Sequence, residues 1–194
     1  MEPISDKQSQ EILDAALEMG LESGWDSVRL FDVSSRLGIS LAYINLHYRQ
    51  KDDLVEALFD RADHALLSIE HFGSEDGTVS ERLHQVMFTW FDALASYHAL
   101  IPSMLGYKLE PLHFHLQAQG ITRISRTVQW FMEAAGITTS NPIRVLEEFG
   151  LTGIYLATFA RWINDSSENQ QQSRRFLRRQ LELASRLRSN QGKT

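Results

Sequence analysis

Two short clusters bring chemically active residue types close together. His113-Phe114-His115 offers two imidazoles, a frequent metal-ligand type, and Glu147-Glu148 offers two carboxylates, the pair that acid–base catalysis uses. Neither spacing converges. On a helix, residues i and i+2 point about 200° apart, so the two histidines cannot share one ion, and adjacent glutamates diverge as well. The sequence holds no Gly-rich phosphate loop, no HExxH and no nucleophile elbow. With no cysteine among 194 residues, disulfides, thiolate metal sites and cysteine nucleophiles are excluded. No catalytic residue, metal or cofactor is therefore expected, and the function sought is binding.

The residues that suit binding must be carried by helices, because hydrophobic periodicity is helical throughout. Four prolines and eleven glycines leave little room for a turn-rich β fold. Ile12, Ala15, Ala16 and Met19 form one stripe, predicting a helix over about 8–23 that stops before Gly24. Short helices follow at about 29–37, ended by Gly38, and 40–46, capped by Ser40. A longer helix starts at Lys51 and reaches Ile69. Further helices are expected at about 78–97, 100–118 with a bend at Pro111, 120–136, 142–164 and 168–189. The fold class is thus all-α, about nine helices. Residues 1–50 form a three-helix head, and residues 51–194 a larger helical-bundle body.

Three short helices with a tight turn before the third are the arrangement of a helix-turn-helix. Ile12-Leu13-Asp14-Ala15-Ala16, Gly24-Trp25, Asp32-Val33, Gly38-Ile39-Ser40, His47-Tyr48, Lys51 and Leu54 stand in an ordered set that resembles the N-terminal domain of TetR-family transcriptional regulators. The likeness covers about a quarter of the chain and implies DNA binding by a homodimer, with a small ligand held in the body. The DNA contacts it implies are Arg29, Ser40, Tyr43, Asn45, His47, Tyr48 and Lys51. The sequence departs from the family pattern at Val28-Arg29 in place of a threonine, at Ala42 in place of a glycine, and at Asn45 in place of a tyrosine. Ser40–Leu46 contains no Lys or Arg, leaving Asn45 as the one base-reading type.

A second, softer resemblance spans more of the chain. GWDSVRLFDVSSRLGIS, ERLHQVMFTWFDALASYH, WFMEAAGI and GLTGIYLATFARWINDSS look like a bacterial branch related to the ubiquinone-biosynthesis accessory proteins. That likeness implies the alternative function: a TetR-like fold without DNA binding that holds lipid or isoprenoid in the body and meets membranes through a C-terminal amphipathic helix.

Large side chains crowd the body. Trp90, Phe91, Met104, Tyr107, Phe114, Trp130, Phe131, Phe149, Tyr155 and Phe159 are the candidate walls of a pocket for an apolar or lipid-like small molecule. Phe149, Ile154, Leu156 and Ile163, with Leu177, Leu181, Ala184 and Leu187, supply apolar stripes for a dimer built on the last two long helices.

Charge separates along the chain. Residues 1–54 hold ten acidic and five basic side chains, whereas 168–194 hold two and seven. The basic stretch 173–190 has the pattern of a helix that lies on an anionic membrane surface. The polar, acidic N-terminus lacks the features of a secretory signal, so the cytoplasm is the expected location.

Overall fold

The computed structural model describes residues 4–69, 77–108, 114–137 and 143–191, with side chains over these ranges apart from 4–6, 107–108, 114–121, 143 and 189–191. Nine α-helices and no strand occur among the described residues. They are α1 (Ile4–Ser23), α2 (Leu30–Leu37), α3 (Leu41–His47), α4 (Lys51–Leu67), α5 (Val79–Leu94), α6 (Ile101–Lys108), α7 (Phe114–Ala134), α8 (Ile143–Ile163) and α9 (Gln171–Gln191). Single 3₁₀ turns at Trp25–Ser27, Ala95–Tyr97 and Glu168–Gln170 join some of them. No described helix is long and apolar enough to cross a membrane.

One expected boundary moves. Local order predicts a helix boundary at the glycine at position 120, yet α7 runs through it from Phe114. A glycine inside a helix costs about 1 kcal/mol relative to alanine, which neighbouring turns absorb, whereas proline removes a hydrogen bond and clashes. α6 is described as far as Lys108 and α7 from Phe114, and the expected bend at Pro111 lies outside the described residues.

The chain forms two compact units, Met1–Ala62 with Leu94–His113, and Asp63–Ala93 with Phe114–Thr194. In the first, Ile12, Leu13, Ala16 and Leu17 of α1 are buried along with Trp25, Val28, Val33, Ile44 and Leu54. Gly20 allows a close approach here: a Cβ would lie 3.1 Å from Leu100 and 3.2 Å from Trp25, so these side chains would have to give way to a larger residue. In the second unit the core is aromatic. Trp90 stands edge-on to Phe91 at 5.3 Å and to Tyr155 at 5.5 Å, and Phe91 lies 5.4 Å from Trp162.

That aromatic core encloses one carboxylate. Asp63 accepts from Trp90 Nε1 at 2.8 Å and from Thr127 Oγ1 at 3.1 Å, and Arg123 stands 3.4 Å away. A buried charge is tolerated when partners satisfy it, and these three hold α4, α5 and α7 in register.

Candidate nucleic-acid interface and ligand cavity

The α2–turn–α3 segment is fixed by two local devices. Gly38 adopts φ 66°, ψ 29°, the left-handed conformation that suits glycine, and its N–H reaches the Ser34 and Ser35 carbonyls to close α2. Ser40 then caps α3, its Oγ accepting from the Tyr43 N–H at 3.1 Å. Ile44 anchors α3 to the core at 1% exposure, which turns Leu41, Ala42, Asn45 and Leu46 outward. Tyr43 and His47, one turn apart, are half-buried and meet edge to face at 5.4 Å.

The other residues expected to touch DNA lie in different settings. Arg29 is exposed but carries a two-pronged ion pair to Asp32 at 2.7 and 2.8 Å. Arg36 is held in the same way by Glu22, at 2.8 Å on both prongs. Each arginine keeps its partner's carboxyl below the usual range, chiefly through the side-chain hydrogen bond. Tyr48 is not on this surface: its side chain is buried and its hydroxyl donates to the Ser9 carbonyl at 2.9 Å. Lys51 turns inward too, its Nζ donating to the Trp25 carbonyl at 2.5 Å and lying 5.0 Å from the centre of the Trp25 ring. Burial pulls this ammonium below the ordinary lysine range, with Asp26 and Asp52 opposing the shift.

In the body, the residues expected to line a pocket divide into three groups. Trp90, Phe91, Phe131, Tyr155 and Phe159 come together as one ring cluster with centroids 5.3 to 6.2 Å apart, packed against each other. Trp130 is 39% exposed and Phe149 74% exposed, and both stand at the surface. Met104 is buried within the first unit. The side chains of Tyr107 and Phe114 lie outside the described residues.

A cavity of about 370 Å³ opens elsewhere, among Leu83 of α5, Met132 of α7, Gly150 and Ile154 of α8, and Leu181 and Ala184 of α9. None of the expected residues with described side chains lines it. Six-membered rings and indoles interlock and leave no space, whereas glycine and alanine on facing helices do. Gly150 and Ala184 are the sequence signal for this space. An ion pair, Arg188 to Glu147 at 2.9 Å, stands at its wall.

Comparison with known proteins fits the geometry of the head. The family model "Bacterial regulatory proteins, tetR family" matches residues 12–58. A solved TetR transcriptional regulator from Nitrosomonas europaea is 41% identical, with a TM-score of 0.81, over 92% of this chain and 98% of that one. The chain belongs to the TetR family. A TetR regulator from Rhodococcus sp. RHA1, 18% identical with a TM-score of 0.68, shares the fold over 92% of this chain and 96% of its own. The Fatty acid metabolism regulator protein of Bacillus subtilis is 28% identical over 91 residues, 46% of this chain and 47% of that protein. A second family model, COQ9, matches residues 149–188, which span most of α8 and α9. The chain is thus a TetR-family regulator whose C-terminal helices carry an additional likeness.

Proposed function

We propose that two copies of this chain bind a double-stranded DNA operator and that an apolar small molecule controls the binding. The observation that carries the reading is α3, capped by Ser40, anchored by Ile44 and presenting Asn45 to the outside. Residues 1–50 supply the DNA-contacting head, with Ser40, Tyr43, Asn45 and His47 as its contacts while Arg29 stays paired with Asp32. Residues 51–194 supply dimerisation and ligand binding, and the protein works in the cytoplasm by binding, not catalysis.

The ligand is assigned to the cavity between α5, α7, α8 and α9. Its volume of about 370 Å³ falls in the range of small-molecule sites, and its lining is largely aliphatic. The fatty acid regulator among the relatives supports an acyl chain as the ligand type. Selection from random duplexes at low salt tests the DNA reading: a palindrome should be enriched, and an empty selection overturns it. For the ligand, medium-chain fatty acids should raise the melting temperature of the protein. Ala184→Phe, which fills the cavity, should abolish that rise.

The COQ9 match over residues 149–188 favours one second reading, a lipid-binding accessory protein that retains the head as scaffold. Stable binding of anionic vesicles combined with an empty duplex selection would select it.

A further inference from the structure

The outward face of α3 is apolar. Leu46 is 78% exposed and Leu41 47%, Ala42 and Asn45 share their side of the helix, and Phe31 on α2 is 59% exposed. Single exposed leucines are ordinary on protein surfaces; a whole recognition face built from them is not. The helix offers no arginine or lysine to a guanine edge and no carboxylate to cytosine. Of the nearby cations, Arg29 is paired with Asp32, Arg36 with Glu22 and Lys51 with the Trp25 carbonyl, and Arg49 lies beyond the end of α3.

In the major groove, an aliphatic side chain has one favourable partner among the base edges, the C5 methyl of thymine. The matching partner of an asparagine amide is the N6/N7 edge of adenine. Both sit on A·T pairs. Resting on the DNA-binding reading above, we propose that α3 reads its half-site through thymine methyl groups. Leu41, Ala42 and Leu46 are the specificity-determining residues, and Asn45 contacts an adenine among the same pairs. Sequence preference then comes from excluding water around methyl groups, a contact that carries no charge.

The test starts from duplexes selected by the full-length protein. Each thymine of the enriched half-site is replaced in turn by deoxyuridine, which removes the methyl and leaves base pairing intact. A half-site core of A·T pairs is expected, with affinity falling about fourfold at each contacted thymine, the effect of one buried methyl. Leu46→Ala, at a surface position that leaves the fold intact, should abolish the deoxyuridine effect at one thymine while keeping it at the others. A selected half-site with a G·C core, or one indifferent to deoxyuridine, overturns the proposal and leaves DNA binding standing. An empty selection overturns both and turns the apolar face toward a protein partner.

Discussion

The ammonium of Lys51 donates to the Trp25 carbonyl at 2.5 Å, joining the first turn of α4 to the 3₁₀ turn that follows α1. Since Lys51 is thereby tied into the head's own structure, its loss should act on stability before it acts on DNA. Lys51→Met keeps the stem over the Trp25 ring and removes the charge. We expect a cost of about 1 kcal/mol, below the usual range for a charged hydrogen bond because the site is half in water. In a chain of this size that is a melting shift of about 2–4 °C. DNA affinity measured well below that temperature should stay within about twofold, and a uniform tenfold loss would return Lys51 to the list of phosphate contacts.

The scarcity of available cations sets the salt dependence of DNA binding. Among the described residues of the head, the Arg49 side chain makes no ion pair, whereas Arg29 and Arg36 are held by carboxylates. Each phosphate neutralised contributes about −0.9 to the slope of log K against log salt. A dimer bringing one or two cations per head should therefore give a slope of about −2 to −4. Fluorescence anisotropy between 50 and 200 mM salt, roughly the range over which counterion release is resolved, checks this. A slope of about −5 to −7 would mean that the Arg29 and Arg36 pairs open on the duplex.

Asp165 gives the fold an acid limit. Its carboxylate is buried, which alone would raise its pKa. Hydrogen bonds from Ser167 and Ser173, side chain and backbone alike, outweigh that and bring it down to about 2. A carboxyl whose pKa is lowered on folding stabilises the protein above its unfolded value and loses that contribution as pH falls through the folded one. The stability contributed by this cap should thus be full above about pH 5 and disappear towards pH 2. Asp165→Asn should destabilise the start of α9 at neutral pH and flatten this part of the acid denaturation curve. An unchanged acid limb would show that other carboxylates set it.

The sequence revealed more of the head than of the body, for a physical reason. Gly38, Ser40 and Ile44 act within a few residues of themselves, so the turn, the cap and the anchor could be read from local order. Arg29 and Lys51 were read as types, and their pairing with Asp32 and with the Trp25 carbonyl depends on geometry that types do not carry. In the body, counting aromatic residues pointed to Trp90, Phe91 and Tyr155. Those rings meet each other, and the open space lies beside Gly150 and Ala184, where side chains are small. Likewise Leu177 and Leu181, expected at a dimer seam, are buried in their own subunit at 0% and 3% exposure.

The dimer seam should instead run along the outer faces of the last two helices. On α8, Val145, Phe149 and Leu156 are exposed beside the bare backbone of Gly153, and on α9 Leu183 and Leu187 are exposed. Two copies of this surface form a four-helix interface of the usual kind. Phe149→Asp combined with Leu156→Asp should yield a monomeric mass by light scattering at micromolar concentration while helicity is retained. A dimer surviving both charges would place the interface elsewhere.

Contact between α9 and a membrane should be marginal, because most of the helix is already occupied. Arg174 pairs with Asp92 and covers the Phe88 ring, and Arg188 pairs with Glu147. Leu177 and Leu181 face the core, so deleting residues 173–194 would remove part of the fold along with the charge. Arg175, Arg178, Arg179 and Arg186 are exposed and make no ion pair among the described residues; Arg175 bonds Gln171 and Arg178 acts on Glu81, which leaves Arg179 and Arg186 to meet anionic headgroups. At about 1 kcal/mol for each basic residue near such a surface, two of them give weak, salt-sensitive adsorption. We expect slight co-sedimentation with phosphatidylserine vesicles at low salt, lost in the Arg179→Gln, Arg186→Gln double variant and absent at about 0.15 M salt, where charges are screened beyond about 8 Å. Binding that persists at that ionic strength would need apolar insertion, and Leu183 and Leu187 would have to supply it. That outcome would make α9 a lipid-facing helix and favour the accessory-protein reading over the dimer seam.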